Sequence, residues 1–377
     1  MAKLGKYIRQ VRGVSYKPVD VREEKDPLAV PILRANNIDD GELNFDELVY
    51  VDKKCVKDAQ MLKKGDILIC ASSGSKKLVG KAGQVRENYS CSFGAFCKLI
   101  RTDDSLQGYL GHFFQSPYYR QRISQASEGA NINNIRSDDI DNLEIVLPSH
   151  EECFARVTVL DKLSRLIKLR KEQLEYCDEL VKSQFIEMFG TGHDEKCKTV
   201  MIGDVCKFQQ GTQIPVEMQI EEQKTGYKRF LRIIDYTQAP QTPRFVNVPG
   251  REIDERSVVI VRYGATAGFV GRGYKGILAN NLFEVVPDEK VVSKEFLYLA
   301  LKHGTFERDI HEKAFGAAMP ALSFSMMKDI PIVTPSYDKQ IEFTRFVEQT
   351  DKSKFRIKES LENLENCYKA LLQKYFG

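Results

Sequence analysis

No stretch of this sequence reaches eighteen consecutive apolar residues, and its opening Met-Ala-Lys-Leu-Gly-Lys is polar. Neither a membrane span nor a signal peptide is therefore expected, and the chain reads as soluble and cytoplasmic. The nine cysteines form no C-x-x-C pair and the five histidines no H-E-x-x-H. Zinc is not expected, and free thiols suit a reducing compartment. Several enzyme signatures are also missing: an N-P-P-Y-like or D-P-P-Y-like methyltransferase motif, a Walker A loop, G-x-G-x-x-G after a strand, G-x-S-x-G, and paired nuclease carboxylates followed by a spaced lysine. Lys64-Gly65-Asp66 and Ser72-Ser73-Gly74-Ser75 suggest phosphate or serine chemistry, but no base or helix start accompanies them. An enzyme acting alone is not expected. Charge of one sign is scarce as well, since 56 basic residues face 53 acidic ones for a net charge of +3. A nucleic-acid partner would have to be met by local basic clusters. Low-complexity linkers are absent, and Thr191 to Lys198 is the one short polar break.

What the chain has is itself, twice. Its 377 residues leave room for two or three domains, and the halves match. Leu4-Gly5 and Gly13 recur as Ile202-Gly203 and Gly211, and Ile32 to Ile38 recurs as Phe230 to Tyr236, all 198 residues later. Gly65 to Ile69 matches the segment ending Ser257 to Ile260, and Leu78 to Lys81 matches Phe269 to Arg272, at a separation of 191. From Ala95-Phe96 with Leu282-Phe283 onward the separation is 187, through Gly129-Ala130 with Gly316-Ala317 and to the ends of both halves. Separations that shrink in steps and then hold are the mark of duplication followed by loop deletion. Each half is expected to be an α/β module of short strands: Asp66 to Cys70, Phe96 to Ile100, Leu143 to Leu147, Val258 to Val261, Phe283 to Val286 and Ile330 to Val333. A helix is expected over Leu106 to Ala126 and over Lys294 to Ala314, its aromatics in the core.

Each module is followed by about forty residues without internal Pro or Gly that close on Phe-Gly, 148–190 and 335–377. Both predict one long helix. Ser149 with Glu152 makes a capping box, while Ser336 can cap the second start and Asp338 favours its dipole. Apolar residues at steps of three and four predict a coiled-coil seam through Leu160, Leu163, Ile167, Leu174 and Leu180, and through Val347, Ile357, Leu361, Leu364 and Leu371. Val159, Leu166, Cys177, Val181, Phe343, Phe346 and Cys367 extend it. Each helix runs from a basic middle (Lys162 to Lys171; Lys352 to Lys358) to an acidic stretch (Glu172 to Glu179; Glu359 to Glu365). Antiparallel pairing sets basic against acidic, whereas parallel pairing sets like against like. The expected architecture is thus a tandem α/β (α+β) repeat, two heads held apart by an antiparallel helix pair with a pseudo-two-fold axis. About thirty-five helical residues span roughly 50 Å, more than a turn of duplex DNA. The plainer alternative is a two-domain protein whose helices only dimerise it.

The local charge points to nucleic acid. After the strand at Asp66 the loop carries Ser72, Ser73, Ser75, Lys76, Lys77 and Lys81, and the second copy carries Arg262, Tyr263, Thr266, Arg272 and Lys275. Such side chains grip phosphates and reach base edges. Asn131 and Asn133 lie in a Gly-rich turn, 127–134, matched by 315–320, and have amides that suit adenine; in a turn such amides also bond their own backbone. Asn36, Asn37 and Arg232, in the matched strand-like segments, complete the candidate set.

In order, and twice, the chain shows a Leu-Gly-like turn (Lys3-Leu4-Gly5; Met201 to Val205), a Gly-Asp-Ile-Leu-like strand with a small-residue loop (Gly65 to Gly83; Arg256 to Gly273), a strand ending in proline (Leu143 to Pro148; Ile330 to Pro335), and a helix ending in Phe-Gly. This order resembles the specificity subunit of type I restriction-modification enzymes. Pro331 departs from the repeat, having Glu144 as its counterpart. The resemblance implies target-recognition domains at 1–147 and 191–334, with helices at 148–190 and 335–377. It also implies a non-catalytic chain without a cofactor that reads a bipartite site in double-stranded DNA. Two methyltransferase subunits using S-adenosylmethionine would dock on it, and restriction subunits using ATP and Mg2+ would join them. The recognition subunit of a motor-less methyltransferase or restriction system remains an alternative, as does a structural adaptor that binds protein.

Overall fold

The computed structural model describes residues 1–39, 41–75, 77–127, 134–190, 197–238, 242–314 and 321–377. They form two compact units, 1–171 with 359–377, and 172–358. The two long helices are His150–Phe189 and Tyr337–Phe376, each of 40 residues, and each contributes one end to each unit. The capping box at the first is formed: Ser149 N–H donates to Glu152 and Glu152 N–H to Ser149 Oγ, at 3.2 and 3.3 Å.

The first unit is built on a four-stranded antiparallel sheet, in the order Ile8–Arg12, Cys97–Thr102, Ile67–Cys70, Ala82–Gln84. Its central strand, Ile67–Cys70, is apolar on both faces and wholly buried, as a strand covered on two sides must be. Ala2–Lys3 pairs with Glu144–Ile145, closing the module beside its own start. A second sheet holds Val49–Asp52, Ala29–Leu33 and Ser92–Phe93. The second unit repeats the first sheet as Cys206–Gln210, Leu282–Pro287, Val258–Val261, Val270–Gly271, and the closing pair as Thr199–Met201 with Pro331–Val333. Its other sheet adds a fourth strand.

Strand register corrects the repeat in two places. Cys97 stands opposite Cys70 and Leu282 opposite Val261, so Cys97 matches Leu282 at a separation of 185, where 187 was expected. Gly13 and Gly211 agree: a Cβ on either would lie 2.0–2.1 Å from a carbonyl oxygen, of Gly94 in one and Ala279 in the other, again 185 apart. In the loop, Gly80 N–H donates to Cys70 and Gly268 N–H to Val261, both glycines have positive φ, and each faces an isoleucine, Ile123 or Ile310. Gly80 therefore matches Gly268 rather than Gly271. Backbone geometry, which side-chain similarity does not report, sets these equivalences.

Other expectations also shift. The helix expected over 106–126 is two, Asp104–Phe113 and Pro117–Ser127, because Pro117 has no N–H to continue the first and starts the second. The helix over 294–314 divides as Lys294–His303 and Phe306–Ala314 at Gly304. Ile32 to Ile38 is strand to Leu33, a 3-10 turn over Ala35–Asn37 and strand again from Ile38, and its partner 230–236 is strand to Leu231 and helix from Ile233.

The helix segments run antiparallel within each unit. In the first, Arg156 lies over the Tyr375 ring and Lys171 reaches Glu365 at 3.9 Å. In the second, Lys354 bonds Asp178 at 2.5 Å and both Phe185 and Phe189 lie 5.5 Å from Phe343. Basic thus meets acidic, as the charge order predicted. The apolar seam differs in membership. Leu160 is buried and Leu163, Ile167, Leu174, Ile357, Leu361, Leu364 and Leu371 are half-buried, with Val347 buried. Leu180 is 50% exposed, and Val159, Leu166 and Cys367 also face outward. Val181, Phe185, Phe189, Leu372 and Phe376 hold the positions that matter, because the helix rotates by 100° per residue and the heads bury its ends. In the first unit, buried His112 joins the helices, its Nε2 2.9 Å from Asp161 Oδ1 and its Nδ1 2.9 Å from the Tyr368 hydroxyl, and Tyr368 donates to Gln115. The matching positions in the second unit, Leu299 and Val181, are apolar and buried.

Candidate nucleic-acid interface

Both basic loops leave the buried central strand of their sheet and are fastened in the same way. In the first unit Ala71 and Ser72 N–H donate to Phe96 O, and Ile135 N–H donates to Ala71 O at 2.8 Å. In the second, Arg262 N–H donates to Asn281 O and Leu322 N–H to Arg262 O at 3.0 Å. Isolated bridges, Ser72 with Asn134 and Tyr263 with Ala321, seal the contacts. Residues directly after each Gly-rich turn are thereby held against the basic loop, so two surfaces that seemed separate in the sequence share an anchor.

In the first loop Ser75 and Lys77 are exposed and Ser72 and Ser73 half-buried. Lys81 is tied to Asp39 at 3.0 Å. Arg120, not singled out from sequence, braces the loop from the helix below by donating to Val79 O and Lys77 O. Lys76, Asn131 and Asn133 lie outside the described residues. Asn36 is exposed, but Asn37 is fully buried. Its Oδ1 accepts from Arg34 N–H and its amide donates to Asn44 and Asp46, so it organises a turn and presents nothing to a partner. The bland reading of an asparagine in a turn holds there.

In the second loop Tyr263 and Thr266 are exposed, as is Lys275 beyond it. Arg262 is half-buried, its guanidinium 4.6 Å from the Tyr263 ring and 5.1 Å from that of Phe283, and its Nε donates to Leu322 O. Arg272 stacks 4.3 Å over Tyr298. Arg232 spends its guanidinium on Asp235 and Thr242 O, which fixes the turn it belongs to. Sequence reasoning missed the neighbouring open hollow of about 380 Å³ lined by Gln213, Gln219, Arg232, Ile233, Asn280 and Asn281. Those residues come from three separated segments, so no spacing signal links them.

The cysteines at the strands are inert: burial pushes Cys70 up to about 11 and Cys91, Cys97 and Cys206 up to about 12.

Residues 194–366 match the type I restriction modification DNA specificity domain. Over 173 residues the chain is 39% identical to the type I restriction enzyme StySPI specificity subunit of Salmonella potsdam and 37% identical to the EcoKI specificity subunit of Escherichia coli. The chain is thus similar to type I specificity subunits over a little less than half of its length. In each of those two alignments it covers 46% of itself and 37% of the relative. A putative type I specificity subunit of Mycoplasma genitalium is 25% identical over 320 residues, 79% of each chain. The fold is shared with a crystal structure of a type I S subunit from M. genitalium, at a TM-score of 0.60 and 18% identity over 100% of this chain and 95% of that one. A further solved structure, titled for complex assembly and conformational transition of the type I system, matches at a TM-score of 0.56 and 16% identity, covering 100% and 99%. The tandem fold of the two units is thus shared with these solved structures. No helix among the described residues is long and apolar enough to cross a membrane.

Proposed function

We propose that the chain is the non-catalytic reader of a type I restriction-modification complex, each unit recognising one half of a split DNA sequence. The observation that carries this reading is the duplicated loop anchor: one backbone construction presents Ser72, Ser75 and Lys77 in one unit and Arg262, Tyr263 and Thr266 in the other. Phosphate contacts from the basic side chains give orientation, and hydroxyls and amides nearby give sequence preference. The helices, each about 60 Å at 1.5 Å per residue, set the tolerated gap.

Docking of methyltransferase subunits is supported by the first helix. Val159, Leu166, Leu169, Tyr176 and Leu180, spaced by seven, three, seven and four residues, are 42–64% exposed. That is a second heptad stripe on a helix whose first stripe is already filled. S-adenosylmethionine, ATP and Mg2+ belong to those partners and to restriction subunits, in a cytoplasmic assembly.

The test is exchange of residues 1–147 for the corresponding module of a relative, followed by sequencing of the duplexes that the chain retains. One half-site changes and the other stays; a change in both halves overturns the division of labour. Loss of DNA even at low salt would favour a protein-binding adaptor.

A further inference from the structure

The hollow adjoins the root of the second loop. Asn281 is its hinge, because its carbonyl accepts from Arg262 at the root of the basic loop while its side chain walls the hollow. Asn280 donates from Nδ2 to Gln213 Oε1 at 3.4 Å. The pair therefore leaves Gln213 Nε2 as a donor and Asn280 Oδ1 as an acceptor, neither with a partner among the described residues. Asn281 Oδ1 is buried and likewise unpartnered there, an acceptor that folding alone leaves unsatisfied. An adjacent donor and acceptor are what the major-groove edge of adenine complements, through N7 and the N6 amine.

We propose that Gln213 and Asn280 read an adenine in one half-site, with Asn281 completing the wall. The inference rests on the DNA-reading function above and names where in the second unit the sequence is sensed. The first unit differs at the same place. Phe96 occupies the position of Asn281, since its carbonyl accepts from Ala71 as that of Asn281 does from Arg262. Phe96 is 69% exposed, and Ala95 and Ser15 stand where Asn280 and Gln213 do. An exposed ring contacts a thymine methyl rather than pairing with a polar edge. One scaffold thus offers two chemistries, and the two halves of the site need not be alike.

The intact chain, incubated with duplexes randomised in two blocks around a variable gap, reports both preferences when the bound DNA is sequenced. Wild type is expected to require an A·T pair at one position of one half-site. Gln213→Ala with Asn280→Ala relaxes that requirement roughly tenfold and leaves the other half-site and the salt dependence of binding unchanged. Phe96→Ala relaxes only the opposite half. All three side chains are exposed or half-buried, so the variants keep their fold. Sequence-selective binding that the double variant leaves intact, or relaxation of one and the same half by both variants, overturns this inference while the DNA-reading function stands. Wild-type binding without any sequence selection overturns both.

Discussion

His303 ends the helix Lys294–His303 with its ring against Phe185, 6.3 Å between centroids. Burial, and then the like charge of Lys302, hold it down at about 4 from its usual 6.5, with Asp178 opposing and Lys354 and Lys182 adding to the depression. The unfolded chain takes up this proton near pH 6.5 and the folded chain does not until about pH 4. The associated stability is therefore fully present above 6.5 and is lost as pH falls through that window. His303→Phe is expected to flatten the loss, measured as the unfolding midpoint of the second unit between pH 7 and about pH 4. At this scale the sequence was uneven as a guide. A capping box is a local pattern, and Ser149 with Glu152 formed as expected. Asn37 was unreadable for the opposite reason: whether an amide faces solvent or a turn depends on Asn44 and Asp46 closing over it.

The long helices are the elements on which most depends, and their final aromatic residues show why. Phe189 is buried in the second unit, 5.2 Å from Phe296, while Phe376 is buried in the first, 4.9 Å from Tyr109. Phe376→Ala should cost about 3–5 kcal/mol in the first unit. Hydrogen exchange should then rise in Asp104–Phe113 and leave Lys294–His303 protected. Phe189→Ala should do the reverse. If both changes loosened the same unit, the assignment of each helix end to its core would be wrong. Antiparallel pairing was legible because opposite charge blocks repeat on both helices. Seam membership was less so. Leu180 fits the spacing as well as Val181 does, and only the packing of Val181, Phe185 and Phe189 into one core decides between them.

For the whole molecule, the proposed gap-setting role of the helices makes a length prediction. Seven residues inserted near Leu169 and seven at the facing stretch near Leu364 keep the heptad pattern and add roughly 10 Å, about three base pairs. The preferred gap in selected DNA should lengthen by about that amount, and an unchanged gap would remove the ruler role.

The sequence by itself determined that the chain is one module and one helix, made twice. Periodicity, charge order and the Phe-Gly closures are carried by residue type and spacing alone. The tertiary structure alone decided which residues in the two copies are equivalent. Cys97 matches Leu282 and Gly80 matches Gly268 because hydrogen-bonded register and left-handed backbone fix them. It also gathered Gln213, Asn280 and Asn281 into one hollow. Residues brought together from distant segments leave no period to detect, and their proximity exists only once the sheet has placed its strands.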